Sequence, residues 1–467
     1  MAARVVVVGG GISGLAAAWE LSGGAPPREG PPEIVVLEGT ERLGGMLRSK
    51  DLAGRVVDMG ADGFLGRRPE AVELCREVGL DDNLVPIAAR GASVWARGRL
   101  RVLPEGHAMG VPTSFWPTAR SGVLGFGGSV ALARDALLPR PDVRGPIGDR
   151  AVGPLVARKL GHKVVDRLAD PLIGGIHAGS VDDMSAAAVF PPLLAAAHRR
   201  GSLMRSLRTE TPEPDADGPP LFWAIDGGMV ALVDALSAAL ERRGVKLDVS
   251  RSVEGLERDG NAWTLTGAQD LRADAVVLAL PAPVTARLLQ PHDDEAAALL
   301  SSIDYASVTV VTFRAPDQCV PDDLFGTGFL VPRRSAHKGR EPWAVTACTY
   351  LDRKWPHLAR EGEVLLRASL GRSDDVRAEE WTDTECAARA WEELGALAGV
   401  QGQPTESVVV RHPQAFPQYR VHHLLRTAGV EAAVARLGGV AVAGSAYRGV
   451  GIPACIASGR AAARAVS

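Results

Sequence analysis

The sequence predicts an α/β fold with three parts: a parallel-sheet domain built for a dinucleotide, a second domain on an antiparallel sheet, and a helical insertion. Three observations predict it. Residues 5–8 are four valines that run straight into Gly9-Gly10-Gly11-Ile12-Ser13-Gly14 and an Ala-rich stretch. A second apolar run, 34–37, ends in Glu38. Far downstream, 307–313, 328–331, 343–350 and 364–370 are four strand candidates that belong to another, largely antiparallel sheet.

A continuous β-branched run such as 5–8 reads as a strand buried on both faces, as in a parallel sheet. Gly9, Gly11 and Gly14 occupy the positions of a GxGxxG turn. The first glycine permits the sharp exit from the strand. The second lets a pyrophosphate approach the backbone, and the third lets the helix pack closely on the sheet. The helix that follows presents free N–H groups and a partial positive charge to that pyrophosphate.

Glu38 ends the second strand, where a carboxylate accepts the ribose hydroxyls and repels a 2′-phosphate, which argues against NADP. It lies further along than the usual ~20 residues, because a Pro- and Gly-rich loop, 22–33, intervenes. A glycine turn beside a surface Glu is the plainer alternative. The stretch Glu38-Gly39-Thr40-Glu41-Arg42-Leu43-Gly44-Gly45-Met46 then adds two adjacent glycines after an Arg. It resembles the FAD-binding signature of glutathione-reductase-type flavoproteins, so the resemblance implies a Rossmann-type FAD-binding domain and FAD as the dinucleotide.

With 467 residues the chain exceeds one ordinary core. A composition 46% hydrophobic and 23% charged is that of a globular protein. A net charge of −3 and 5% aromatic residues give no case for nucleic-acid binding. The five cysteines are far apart with no metal-ligand spacing, so reduced thiols in the cytoplasm and no metal are expected. No run of ~20 apolar residues occurs, so no transmembrane helix is expected.

Along the chain, 55–65 reads as a short strand and a glycine turn, and 70–78 as an amphipathic helix. Residues 93–103 read as a hairpin turning at Gly98. Arg97, Arg99 and Arg101 alternate there, on one solvated strand face by the plain reading. Residues 114–207 are mostly helical in pattern, with breaks at Pro139-Arg140-Pro141 and Pro191-Pro192, and 111–124 holds an apolar patch with Phe115 and Trp116. Such a patch is a membrane face, a pocket mouth or helical core. The polar loop 211–220 is a boundary. From 221 the strand-and-helix pattern of the first domain restarts, with strands ending near 248 and 281 and a hairpin tipped at Asp259-Gly260-Asn261. Residues 381–399 read as helix. The chain closes on a strand at 440–443, a glycine loop, and a helix opening at Pro453.

The expected organisation is 1–85, 209–281 and 421–467 for the FAD-binding domain. Residues 86–208 form a helical substrate-access domain with a candidate membrane face, and 282–420 a substrate domain with the antiparallel sheet.

Five motifs carry a wider resemblance: PLIGGIHAG at 171–179, GTGFLVP at 326–332, TACTYLDRKWPH at 346–357, HPQAFPQY at 412–419 and AYRGVGIPACIASG at 446–459. With the glycine-rich start, they make the whole chain resemble the bacterial protoporphyrinogen/coproporphyrinogen oxidase family of haem biosynthesis, within the amine oxidase-like flavoproteins. His177 stands where that family often has Tyr or Phe, and His412 where it has Trp. The resemblance implies FAD contacts at Gly9, Gly10, Gly11, Ile12, Ser13, Gly14, Glu38, Gly39, Arg42, Gly45, Met46, Met59, Gly60, Ala61 and Asp62. It puts Val253 against the adenine and Val450, Gly451 and Ile452 beneath the flavin. It implies a porphyrinogen held by Gly175, Ile176, His177 and Leu330, with propionates met by arginines such as Arg90 and Arg367, or Arg97, Arg99 and Arg101.

The implied reaction is FAD-dependent oxidation of coproporphyrinogen III to coproporphyrin III, six electrons in three rounds, with three O2 reduced to H2O2. Protoporphyrinogen IX is the alternative substrate. A flavin amine oxidase, a carotenoid-type desaturase and a non-catalytic flavin protein are more distant readings. No side-chain acid or base is required, because pyrrole protons leave to solvent. His177 is the one candidate base, against a plain wall residue. The sequence leaves open a weak peripheral contact with the cytoplasmic membrane, and both monomer and homodimer.

Overall fold

The computed structural model describes residues 3–23, 32–137, 148–199, 201–211, 218–335 and 341–467. Most of the 22–33 loop, the Pro139-Arg140-Pro141 break and most of the 211–220 loop lie outside the described residues. The chain forms two compact units, one from residues 1–86, 219–304 and 424–467, the other from 87–218 and 305–423.

The first unit is organised on a five-stranded sheet in the order Lys246–Asp248, Glu33–Leu37, Arg4–Val8, Ala275–Leu278, Val440–Val442. Every pairing in it is parallel. The four valines of the central strand are buried because helices cover both faces of such a sheet. The helix Ile12–Gly23 leaves this strand through the glycine turn and packs against the closing helix Ile452–Val466. A Cβ on Gly459 would stand 2.0 Å from the Ser13 carbonyl oxygen, so only glycine allows that helix crossing.

Two expectations change here. Phe222–Ile225 does not rejoin the parallel sheet; it pairs antiparallel with Phe64–Leu65 and Leu84–Pro86. Residues 282–304, read with the substrate domain, form the helices Ala282–Leu289 and Asp294–Ser301 inside the first unit. The helix His423–Leu437 was not read from the sequence.

The second unit carries a seven-stranded sheet in the order Glu406–Pro417, Tyr305–Pro316, Glu363–Leu370, Val345–Tyr350, Gly328–Leu330, Ser93–Ala96, Arg99–Val102. All pairings are antiparallel except Gly328–Leu330 with Ser93–Ala96. The expected strands are all present, and Glu406–Pro417 adds an edge strand. Its Pro413 and Pro417 hid it, yet an edge tolerates proline because one side needs no N–H donor. One face of the sheet packs on the helix Asp383–Ala398 around Phe313, Leu366 and Trp391. Val94 and Leu330 meet the helical region, whose core includes Leu132, Val156, Leu168 and Leu207. The segment expected as a separate helical domain therefore shares its core with this sheet.

Candidate active site

The glycine-rich turn separates two kinds of glycine. Gly9 has φ +107°, and a Cβ there would stand 2.3 Å from the Ala279 carbonyl oxygen. A Cβ on Gly14 would stand 1.9 Å from the Gly9 carbonyl oxygen. Both are demanded by the fold itself. A Cβ on Gly11 would meet nothing nearer than the Gly45 Cα at 4.0 Å. The chain does not require that glycine, so the opening it leaves beside the helix start fits a pyrophosphate.

The second glycine pair comes to the same place. Gly44 N–H donates to the Gly10 carbonyl at 2.8 Å, and Gly45 sits at φ +57° with its Cβ position 3.2 Å from the Gly11 Cα. Arg42 builds this loop, because its guanidinium donates to the Leu43 and Leu47 carbonyls at 3.0 Å and to the Gly45 carbonyl. Burial lowers the Arg42 pKa, with Arg48 adding to the effect. Its role is the loop's shape. Glu38 accepts from Gly10 N–H at 2.7 Å and from the Thr40 N–H and hydroxyl at 2.8 Å each. A carboxylate has about four acceptor sites and three are taken here, so one further donor, such as a ribose hydroxyl, remains within its capacity.

The other expected cofactor residues vary in what they offer. Met46 is exposed, whereas Met59 is fully buried and its N–H donates to the Arg48 carbonyl at 2.8 Å. Gly60, Ala61 and Asp62 follow Met59 in a loop that is partly open to solvent. Asp58, which the sequence reading passed over, accepts from Ser49 Oγ at 2.6 Å and from Met229 N–H at 2.9 Å. It thereby fixes the start of the helix Met229–Arg242. Val253 opens a hairpin strand, and Gly39 leaves a Cβ position only 2.9 Å from Ser252 Oγ. Gly451 caps the helix Ile452–Val466 with no side-chain cap, so its first N–H groups and the positive end of its dipole face outward past Val450 and Gly451.

In the second unit a ten-residue π-helix, Val165–Gly174, leads into the short turn Gly175–His177. π-Helical geometry is rare and often marks a functional site. Gly175 faces Leu330, whose Cδ2 is 4.0 Å from the Gly175 Cβ position, and Ile176 is 47% exposed. The structure thus brings Gly175, Ile176 and Leu330 to one surface. His177 turns the other way. It is buried, its ring lies 5.6 Å from that of Tyr419, and Tyr419 stacks on His423 at 3.8 Å. Burial, with His423 adding to it, lowers the His177 pKa to about 4. An inward imidazole whose pKa is so low is only a weak general base at neutral pH.

The arginines also separate. Arg367 was expected at a solvated rim; it is buried within the strand Glu363–Leu370, opposite Thr312 and Thr349. Arg97 does not share a strand face with Arg99 and Arg101, because with Gly98 it forms the hairpin turn, at φ +57° and +79°. The three still cluster, and Arg167 joins them. Burial, then Arg99, Arg97 and Arg167, lower the Arg101 pKa. Arg101 pairs with Val94, which pairs with Leu330, so Arg101 and Leu330 lie on one sheet face two strands apart. Arg90 is exposed.

Among the described residues, no group of His, Cys, Asp and Glu is placed to hold a metal ion, and no helix is long and apolar enough to cross a membrane.

The family described as flavin containing amine oxidoreductase matches residues 12–467. The chain is 36% identical to the coproporphyrinogen III oxidase of Mycobacterium leprae, over 97% of this chain and 96% of that one. It is 30% identical to the coproporphyrinogen III oxidase of Bacillus subtilis, over 98% and 97%. A crystal structure from Exiguobacterium sp. 255-15, provisionally assigned as a protoporphyrinogen oxidase, superimposes with a TM-score of 0.89 at 29% identity, covering 100% of this chain and 99% of that one.

Proposed function

The chain belongs to the flavin containing amine oxidoreductase family, and from that premise we propose that it oxidises coproporphyrinogen III to coproporphyrin III, with FAD as its redox group and O2 as the final acceptor. The observation that carries this reading is near-full-length similarity, at up to 36% identity, to coproporphyrinogen III oxidases. Bound FAD supplies a two-electron acceptor, so removal of six electrons takes three rounds and three O2.

The chain's own residues bind and orient. Gly11 and Gly45 leave backbone room for the pyrophosphate, Glu38 takes the ribose, and the first turn of Ile452–Val466 directs positive potential at the flavin ring. Gly175, Ile176 and Leu330 form an apolar wall for the macrocycle. Arg97, Arg99, Arg101 and Arg167 supply cations for propionates. Protons leave the pyrroles to solvent, and His177 stays neutral behind the wall. The five buried free thiols support a reducing, cytoplasmic compartment. Exposed Trp116, Phe126 and Leu137 support a weak peripheral membrane contact, which co-sedimentation with anionic vesicles tests.

The test of the function is anaerobic titration of the yellow holoprotein with coproporphyrinogen III. Bleaching of three flavins per porphyrin formed is expected. A flavin spectrum left unchanged, or bleached by primary amines instead, overturns the reading in favour of an amine oxidase.

A further inference from the structure

The reversal that presents Gly175 and Ile176 is held by groups the reaction itself does not use. Ala178 ends the turn at φ +51°, a left-handed conformation that a non-glycine residue adopts only when its surroundings impose it. The surroundings are specific. Gln418 Nε2 donates to the His177 carbonyl at 2.9 Å, from a side chain 5% exposed and 241 residues away in sequence. Ser373 N–H donates to the Ala178 carbonyl at 2.8 Å, and Gly179 N–H to the Gly174 carbonyl at 3.0 Å. Gln418 fills the space beside Gly179 so closely that a Cβ there would stand 2.1 Å from its Oε1.

Arg372, immediately before Ser373, reaches both parts of the wall. Its Nη2 donates to the Val331 carbonyl at 2.8 Å, next to Leu330. Its Nη1 faces Asp170 of the π-helix at 3.8 Å, and both side chains are 4% exposed. Asp170 in turn accepts from Val181 N–H at 3.3 Å, just beyond the reversal. Arg333 backs the same carboxylate at 3.7 Å.

We infer that Gln418 and Arg372 are positioning residues for the porphyrinogen: they hold the Gly175–Ile176 segment in register with Leu330, and so fix the depth and tilt of the macrocycle. This rests on the porphyrinogen reading above. The pair touches neither substrate nor reacting atoms. Misplacing a bound reactant by about an ångström costs on the order of a hundredfold in rate. Loosening the wall should therefore lower the rate of flavin reduction while leaving flavin content intact.

The test is anaerobic single-turnover reduction of the holoprotein by coproporphyrinogen III, in wild type, Gln418→Glu and Arg372→Lys. Gln418→Glu removes the amide donor at constant size. Arg372→Lys keeps a cation near Asp170 but loses the fork to Val331, so the two fail to fold for different reasons if either does. Asp135→Ala serves as the control for stability alone. Asp135 accepts from Ser202 Oγ at 2.7 Å and from Leu203 and Met204 N–H at 3.1 and 3.2 Å, in the same unit but outside the wall. The expected result is full flavin occupancy with a limiting reduction rate lowered about tenfold or more in the folded variants, and an unchanged limiting rate in the control. Rates within twofold of wild type overturn the positioning role, as does a loss that the control reproduces at equal drop in Tm. A wild type that coproporphyrinogen does not reduce overturns the functional reading itself, and the two failures are thus separate.

Discussion

At the scale of single residues, the glycine turn makes a contrast that can be measured. Gly11→Val adds atoms toward open space in the protein alone, whereas Gly14→Val drives a Cβ into the Gly9 carbonyl. Gly11→Val should therefore keep the apoprotein Tm within a few degrees and lose FAD, and Gly14→Val should lose the fold. Equal FAD content in wild type and Gly11→Val, by absorbance after gel filtration, contradicts the assigned site. His177 gives a second measurement. Its pKa falls from an ordinary 6.5 to about 4 on folding, so below 6.5 the unfolded chain takes up a proton that the native one resists. Stability on this account is full above pH 6.5 and drains as the pH falls toward 4, by up to roughly 3 kcal/mol. His177→Phe should flatten that acid limb of Tm against pH and keep kcat within about tenfold, ~1.4 kcal/mol in barrier. A much larger loss of kcat would make His177 a base after all. The motif around His177 is legible in the sequence, but its direction is not. The ring packs against Tyr419 and the turn is held by Gln418, both more than two hundred residues away.

At the scale of elements, legibility follows periodicity and flanking glycines. The strand Arg4–Val8 and the closing helix with Pro in its first turn announce themselves locally. The helix His423–Leu437 does not. Gly429 interrupts it for a tertiary reason, since a Cβ there would stand 2.8 Å from Leu299 of the helix Asp294–Ser301. The edge strand Glu406–Pro417 is masked by its prolines in the same way. Helix contacts lacking a local signal yield a prediction. Gly459→Val in the closing helix should clash with the Ser13 carbonyl and cost at least the 1–3 kcal/mol of an overpacked core. Chemical denaturation of the apoprotein checks it, and an unchanged midpoint would mean that this helix crossing is looser than described. Asp135→Ala should cost about 1–3 kcal/mol by leaving the Leu203 and Met204 N–H groups unpaired at the start of Leu203–Glu210.

At the scale of the whole molecule, the first unit is assembled from three separated pieces of chain and the second from two. Composition announces several domains but cannot say that the helical insertion and the antiparallel sheet share a core, because shared burial is a property of contacts. Net charge is equally blind: −3 overall conceals a cluster of Arg97, Arg99, Arg101 and Arg167. If those cations meet propionates at a partly solvated rim, each contact is worth about 1 kcal/mol and weakens with salt. KM for a four-carboxylate substrate should then climb with ionic strength more steeply than KM for a two-carboxylate one, and parallel slopes would remove the arginines from the substrate account. The central claim is tested most directly by steady-state kcat/KM for coproporphyrinogen III and protoporphyrinogen IX, measured side by side in air at low salt and matched free concentration. A higher value is expected for coproporphyrinogen III, with three O2 consumed per porphyrin formed; a higher value for protoporphyrinogen IX would contradict the assignment.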